Sequence, residues 1–121
     1  VYPNEARYVN EESEIEKAVE FITEELIEYA PGKISVKQIL KKTSGNIQAM
    51  SFDKGKGLEE KTSPFDSFIQ IIAGKAEIVI REIPVSLIKG QSIVIPAHAP
   101  HEVRSDVRFK LIITVLKSGY E

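Results

Sequence analysis

Hydrophobic positions along the chain change period near residue 32. Between residues 11 and 29, Ile15, Ala18, Val19, Ile22, Leu26 and Tyr29 recur at spacings of three and four, the spacing of one helix face. The pattern predicts an amphipathic helix over 11–29. Ser13 with Glu16 fits a capping box, Asn10 is a rival cap, and Pro31-Gly32 supplies a stop. Beyond residue 32 the period falls to two, which predicts strands. The segments are 33–42, 46–53, 68–73, 75–82, 84–88, 92–95, 101–105 and 108–116. Thr43-Ser44-Gly45-Asn46 reads as a hairpin turn, and Gly74 reads as the turn of a second hairpin. Gly90 and Asp106 mark further turns. Many short strands at regular spacing predict an antiparallel sandwich or barrel. The chain then divides into a helical extension, 1–32, and a barrel, 33–121.

Several strands are apolar on both faces. Phe68-Ile69-Gln70-Ile71-Ile72 and Ile78-Val79-Ile80 are the clearest. An antiparallel sheet with one wet face alternates more cleanly. Something is therefore expected to cover the outer face: the N-terminal helix, or a second subunit in a homodimer. Met50 and Phe52 share a strand face and are read as packing residues.

Charge sharpens the division. Residues 11–28 hold eight Glu and one Lys, a net of −7, while the other 15 basic and 10 acidic residues leave the rest of the chain at +5. An acidic face either docks a basic partner or is simply solvated, and solvation is the expectation. Over all 121 residues the net charge is −2, with 42% hydrophobic and 28% charged positions, which fits one soluble domain. There is no cysteine, which removes disulfides, thiolate metal sites and cysteine nucleophiles. No apolar run reaches a membrane span, and no basic tract suggests nucleic acid. The start Val1-Tyr2-Pro3-Asn4 lacks the basic-then-apolar order of an export signal, so a cytoplasmic location is expected.

The most specific motif runs from Gly90 through Pro96 to His101. Five residues separate the glycine from the proline, and four separate the proline from the histidine. This spacing resembles the second conserved motif of the cupin superfamily: Gly, five residues, Pro, any residue, Gly, two residues, His. His98 occupies the second glycine position. The first cupin motif carries two His and a Glu ahead of a Gly. Counted back from Gly74, the His positions fall on Lys61 and Ser63 and the Glu position on Ser67, with Asp66 one residue off. The leading Gly falls near Gly55 or Gly57.

The resemblance covers about residues 33–117. It implies an all-β double-stranded β-helix, a jelly-roll barrel with its pocket inside, here with the N-terminal helical extension. In metal-dependent cupins three His and one Glu hold a divalent ion, and of that set only His101 survives. Transition-metal sites need about three protein ligands, and a lysine ammonium is a donor and a cation, not a ligand. No metal is therefore expected. A divalent transition metal, if held, would use His101, Asp66 and His98.

The same residues read positively as a pocket for a small polar or anionic ligand. Lys61 offers a cation, His101 an imidazole, Ser63 and Ser67 space and hydroxyls, and Ile69, Ile71, Val103 and Phe109 apolar walls. The bland reading puts Lys61 in solvent on a loop and leaves His101 as a hydrogen-bonded residue at the barrel mouth. His98 is read as an exposed loop residue. The competing function is an enzyme, in two forms. One is a metal-dependent dioxygenase or isomerase with the reduced ligand set. The other is a metal-free epimerase-like cupin with His101 as base. The latter needs an acid partner, and Tyr2, Tyr8, Tyr29 and Tyr120 all lie outside the barrel motifs. A third reading is a barrel that only dimerises. Gly55-Lys56-Gly57 has no following helix and is not a phosphate loop. No Ser-His-Asp arrangement or nucleophile elbow is present.

Overall fold

The computed structural model describes residues 8–11 and 13–117. Nine strands run in chain order: β1 (Tyr8–Glu11), β2 (Ile34–Lys42), β3 (Gly45–Phe52), β4 (Leu58–Lys61), β5 (Asp66–Ile80), β6 (Ile83–Ile88), β7 (Ser92–Ile95), β8 (His101–Arg104) and β9 (Phe109–Leu116). Strand β5 belongs to two sheets. Its first half pairs with β9 and β7, and its second half pairs with β6 and β8. One sheet therefore runs β1-β2-β3-β9-β5-β7 and the other β4-β8-β5-β6. All pairings are antiparallel except β1 with β2. The two sheets pack over one core, the jelly-roll arrangement that the resemblance to cupins implies.

The inward faces supply that core. Ile34, Val36, Met50, Phe52, Ile69, Ile71, Ile78, Val103, Phe109 and Leu111 are buried together. Phe52 and Phe109 are cross-strand partners, and their rings stack with centroids 4.3 Å apart. They fill one end of the barrel. Burying each such ring contributes about 1.5–3 kcal/mol relative to exposure.

Gly74 does not turn a hairpin. It sits inside β5 at φ 73, beside a register shift between Ile71 and Ala73. A Cβ at this position would run into the Arg108 carbonyl. The glycine lets β5 bend from one sheet into the other without ending. The hairpin turn lies seven residues further on, at Arg81-Glu82. Both have positive φ, 50 and 70, and Ile80 pairs with Ile83, the geometry of a two-residue type I′ turn. Neither residue type signals such a turn.

The helix expected over 11–29 does not form. Strand β1 adds to the barrel edge, Ala18 adopts φ 66, and among the described residues of this stretch the only helical turn is a three-residue 3-10 turn, Thr23–Glu25. Two causes are visible. Glu12, Glu16, Glu20, Glu24 and Glu28 stand four apart, so a helix would stack five like charges in one column. The barrel also offers the segment better partners when it is extended. Ile27 joins Ala49, Ile72 and Ile112 in a second apolar cluster on the outer face of the larger sheet. The Ser51 hydroxyl donates to the Glu28 carbonyl at 2.8 Å, and the Lys41 amide donates to the Glu14 carboxylate at 2.6 Å. Lys37 pairs with Glu11, and Lys89 with Glu24. The segment is a strap laid across its own barrel. It covers part of the two-faced apolar surface. Tyr2 and Tyr120 lie outside the described residues.

Candidate functional site

The glycine-proline-histidine segment builds one rim of the barrel mouth. Gly90 turns at φ 91 into β7, and Pro96-Ala97-His98-Ala99 forms the loop before β8. Three tertiary bonds hold this loop. The Ala97 amide donates to the Asp66 carboxylate at 2.8 Å, the His98 amide donates to the Ser63 carbonyl at 2.7 Å, and the Arg81 amide donates to the Pro100 carbonyl at 2.9 Å. His98 has φ 70, the left-handed conformation for which the cupin pattern carries glycine. It is exposed.

His101 opens β8 and is buried. Its Nδ1 lies 3.0 Å from the Ala99 carbonyl oxygen. A carbonyl only accepts, so Nδ1 carries the hydrogen and the neutral ring keeps Nε2 as an acceptor. Across the ladder His101 faces Lys61, and two residues on Val103 faces Leu58. Val103 is in the core and Leu58 packs against it, so Lys61 and His101 stand on the inward face at the mouth.

A cleft of about 250 Å³ opens there. Polar groups reach it from Asn46 and Gln48 on β3, Lys61 on β4, Ser63 in the following loop and Lys117 after β9. Met50, Leu58, Phe65, Ile113 and Val115 form its apolar wall. No acidic side chain among the described residues lines it. Among the described residues neither Lys61 nor Lys117 has an ion-pair partner. The Ser63 hydroxyl accepts from the Phe65 amide at 3.1 Å, which leaves its hydrogen to donate. The Lys117 amide donates to the Ser44 carbonyl at 2.7 Å, which ties the lysine across the β2–β3 turn.

The residues singled out from the sequence divide into three groups. Lys61 and Ser63 line the cleft. His101 and Ser67 are buried behind it, each on an inward strand face. Ile69, Ile71, Val103 and Phe109 are packed in the core, each at most 1% exposed, and do not line the cleft. Asn46, Gln48 and Lys117 were missed. Asn46 and Gln48 were legible in principle, because they continue the inward face of Met50 and Phe52 along β3 at a period of two. Lys117 follows the last strand and carries no local signal.

A divalent metal would have to draw on these donors. Asp66 stands next to Ser67 on β5 and so points to the opposite face, where its carboxylate accepts from Ala97. His98 is exposed on the loop. That leaves one imidazole, two hydroxyls and an ammonium at the four positions. No group of three metal-ligating acid or histidine side chains occurs among the described residues. This donor set does not fit a divalent transition ion.

No family model matches the chain, and no curated protein matches it. Solved structures do. A conserved protein of unknown function from Streptococcus pyogenes is 27% identical, with a TM-score of 0.82, over 87% of this chain and 92% of that one. A Cupin 2 conserved barrel domain protein from Leptotrichia buccalis is 32% identical, with a TM-score of 0.74 over 78% of this chain; the match spans 46% of that longer protein. A cupin superfamily protein from Desulfitobacterium hafniense shares the fold at 21% identity, with a TM-score of 0.77 over 85% of this chain and 94% of that one. The fold is a small double-stranded β-helix with a cleft at one end of the barrel. The protein is a cupin-fold protein.

Proposed function

We propose that the protein binds a small organic anion in the cleft at the barrel mouth, without a resident divalent ion. The observation that carries this reading is a pair of lysines on one cleft where, among the described residues, neither has an ion-pair partner and no acidic side chain lines the wall. Lys61 and Lys117 supply charge, and Ser63, Asn46 and Gln48 supply hydrogen bonds. Both lysines are exposed, so they attract a carboxylate or phosphate from solvent and hold it by charged hydrogen bonds. His101 stands behind Lys61 and presents Nε2 as an acceptor.

Calorimetric titration with a panel of carboxylates and sugar phosphates tests this. Lys61→Met and Lys117→Met are each expected to weaken a binder about tenfold, since a charged hydrogen bond contributes about 1.5–3 kcal/mol. Affinity is expected to be the same with and without a chelator. Unchanged affinity in both variants overturns the reading, as does near-stoichiometric metal in the purified protein. We also propose a homodimer. Phe68 and Val94 are cross-strand neighbours on the outer face and are exposed, with Leu116 nearby on β9. Light scattering is expected to give twice the chain mass at micromolar concentration, and a monomer there overturns it.

A further inference from the structure

The lining of the mouth cleft changes character with depth. Along β9 and its continuation the lining residues run Lys117, Val115, Ile113 into the barrel. On β4, Lys61 stands level with His101, and Leu58 stands level with the core residue Val103. Along β3 they run Asn46, Gln48, Met50. Asn46 pairs with Val115 and Gln48 with Ile113, and the next inward pair, Met50 with Leu111, has no polar member. All three strands pass from a polar or charged residue at the rim to an apolar one inside.

Exposure follows the same order. Lys61 and Lys117 are exposed, Leu58, Phe65 and Val115 are half-buried, and the two buried lining residues, Met50 and Ile113, are both apolar. Phe65 brings an aromatic side chain to the wall from the loop between β4 and β5, where the Ser63 hydroxyl holds its amide at 3.1 Å. Apart from the Asn46 and Gln48 amides, the lining inside the lysines and Ser63 is apolar. A ligand entering here meets charge first and hydrocarbon beyond. A methylene carried inward gains from leaving water. A hydroxyl carried inward against apolar wall loses its hydrogen bonds to water. The cleft of about 250 Å³ equals the share of about eight water molecules in the liquid, so its ligand is small.

We infer that the ligand is a small carboxylate with an apolar body, aliphatic or aromatic. Its carboxylate sits at Lys61 and Lys117, and its hydrocarbon part lies against Leu58, Phe65 and Val115. This rests on the anion-binding reading and narrows it, away from sugar acids and sugar phosphates.

Titrations followed by amide resonances, which read weak binders, test the inference with acetate, butyrate, hexanoate, gluconate and glucose 6-phosphate. Affinity is expected to rise about threefold to fourfold with each methylene that enters the cleft, so that butyrate exceeds acetate about tenfold. Hexanoate is expected to exceed gluconate, its hydroxylated six-carbon counterpart, at least about tenfold. A flat series from acetate to hexanoate overturns the inference. So does tighter binding of gluconate or glucose 6-phosphate than of hexanoate. Phe65→Ala and Val115→Thr change the wall at half-buried positions, one on a loop and one near a strand end. Each is expected to lower the hexanoate-to-acetate affinity ratio about threefold or more. An unchanged ratio in both variants overturns the inference. The wild-type protein supplies a reading that needs no variant. At saturation the Leu58 and Val115 methyl resonances are expected to shift more with hexanoate than with acetate, and equal shifts overturn the inference. The two readings fail differently. If anions bind without regard to their bodies and the lysine variants weaken them, only the apolar body falls. If no probe binds, or the lysine variants are silent, the anion site falls and this inference with it.

Discussion

His98 and Asp53 show how single residues hold the site end and the strap end of the molecule. His98 carries φ 70 where the cupin pattern places glycine. The left-handed region costs an L-residue roughly 1–2 kcal/mol, and glycine's larger unfolded-state entropy returns about half of that. His98→Gly is therefore expected to stabilise the protein by about 0.5–1 kcal/mol in urea unfolding; a loss of stability would show that contacts of the ring outweigh the strain. Asp53 lies at the opposite end. Its carboxylate accepts from the Gly32 amide and from Arg108, and these bonds, the Gly32 amide first, hold its pKa down at about 2. A depressed carboxylate pKa favours the folded state above the unfolded value and loses that effect as pH falls through the folded one. Stability is expected to drop between about pH 4 and pH 2. Asp53→Asn is expected to flatten that part of the profile, followed by thermal melts; an unchanged slope would remove Asp53 as the cause.

At the scale of elements, the register of β4 against β8 carries the site. Lys61 faces His101, and the two motif segments meet across that pair. The resemblance to the two cupin motifs, counted from Gly74 and Gly90, points to Lys61, Ser63, Ser67 and His101 as a set; the ladder shows that Lys61 and His101 are cross-strand partners. A variant can check the geometry directly. Lys61→His, Ser63→His and Ser67→Glu together with His101 place four ligands of the right type at the mouth. The triple variant is expected to gain divalent-metal affinity that the parent lacks, read by calorimetry with zinc or nickel. No gain would mean that the four positions do not converge. The β5–β6 turn was not legible, because Arg81-Glu82 carries none of the usual turn residues. The type I′ conformation there is imposed by pairing on both sides and by the Arg81 bond to Pro100. Sheet pairing overrode local preference.

For the whole molecule, part of the charge imbalance between strap and barrel is met within one chain. Lys37 and Lys89 pair with the Glu11 and Glu24 carboxylates, the Lys110 ammonium donates to the Glu24 backbone carbonyl, and the Lys41 backbone amide donates to the Glu14 carboxylate. Tyr29 holds its ring 5.0 Å from both Arg108 and Lys110. Exposed ion pairs contribute little individually, so the apolar contact of Ile27 with Ala49, Ile72 and Ile112 is the stronger anchor. Ile27→Ala is expected to cost about 2 kcal/mol, at the low end for buried isoleucine because the site is near the surface. Urea unfolding measures it, and a change below about 0.5 kcal/mol would assign the anchoring elsewhere.

The sequence by itself determined a many-stranded antiparallel barrel and the need to cover a two-faced sheet. Each depends on periods and spacings that a strand preserves, since alternate residues share a face wherever the strand lies. Tertiary structure alone decided the form of the strap, the continuity of β5 through Gly74, and the cleft. The strap's period of three and four fitted a helix, but repulsion among glutamates and the basic, apolar outer face favoured an extended path. The cleft gathers Asn46, Lys61 and Lys117 from three separate elements. Only closure of the two sheets brings them together. Gln38 reads in sequence as one more polar residue on a strand; its burial without a partner exists only once the barrel has closed around it.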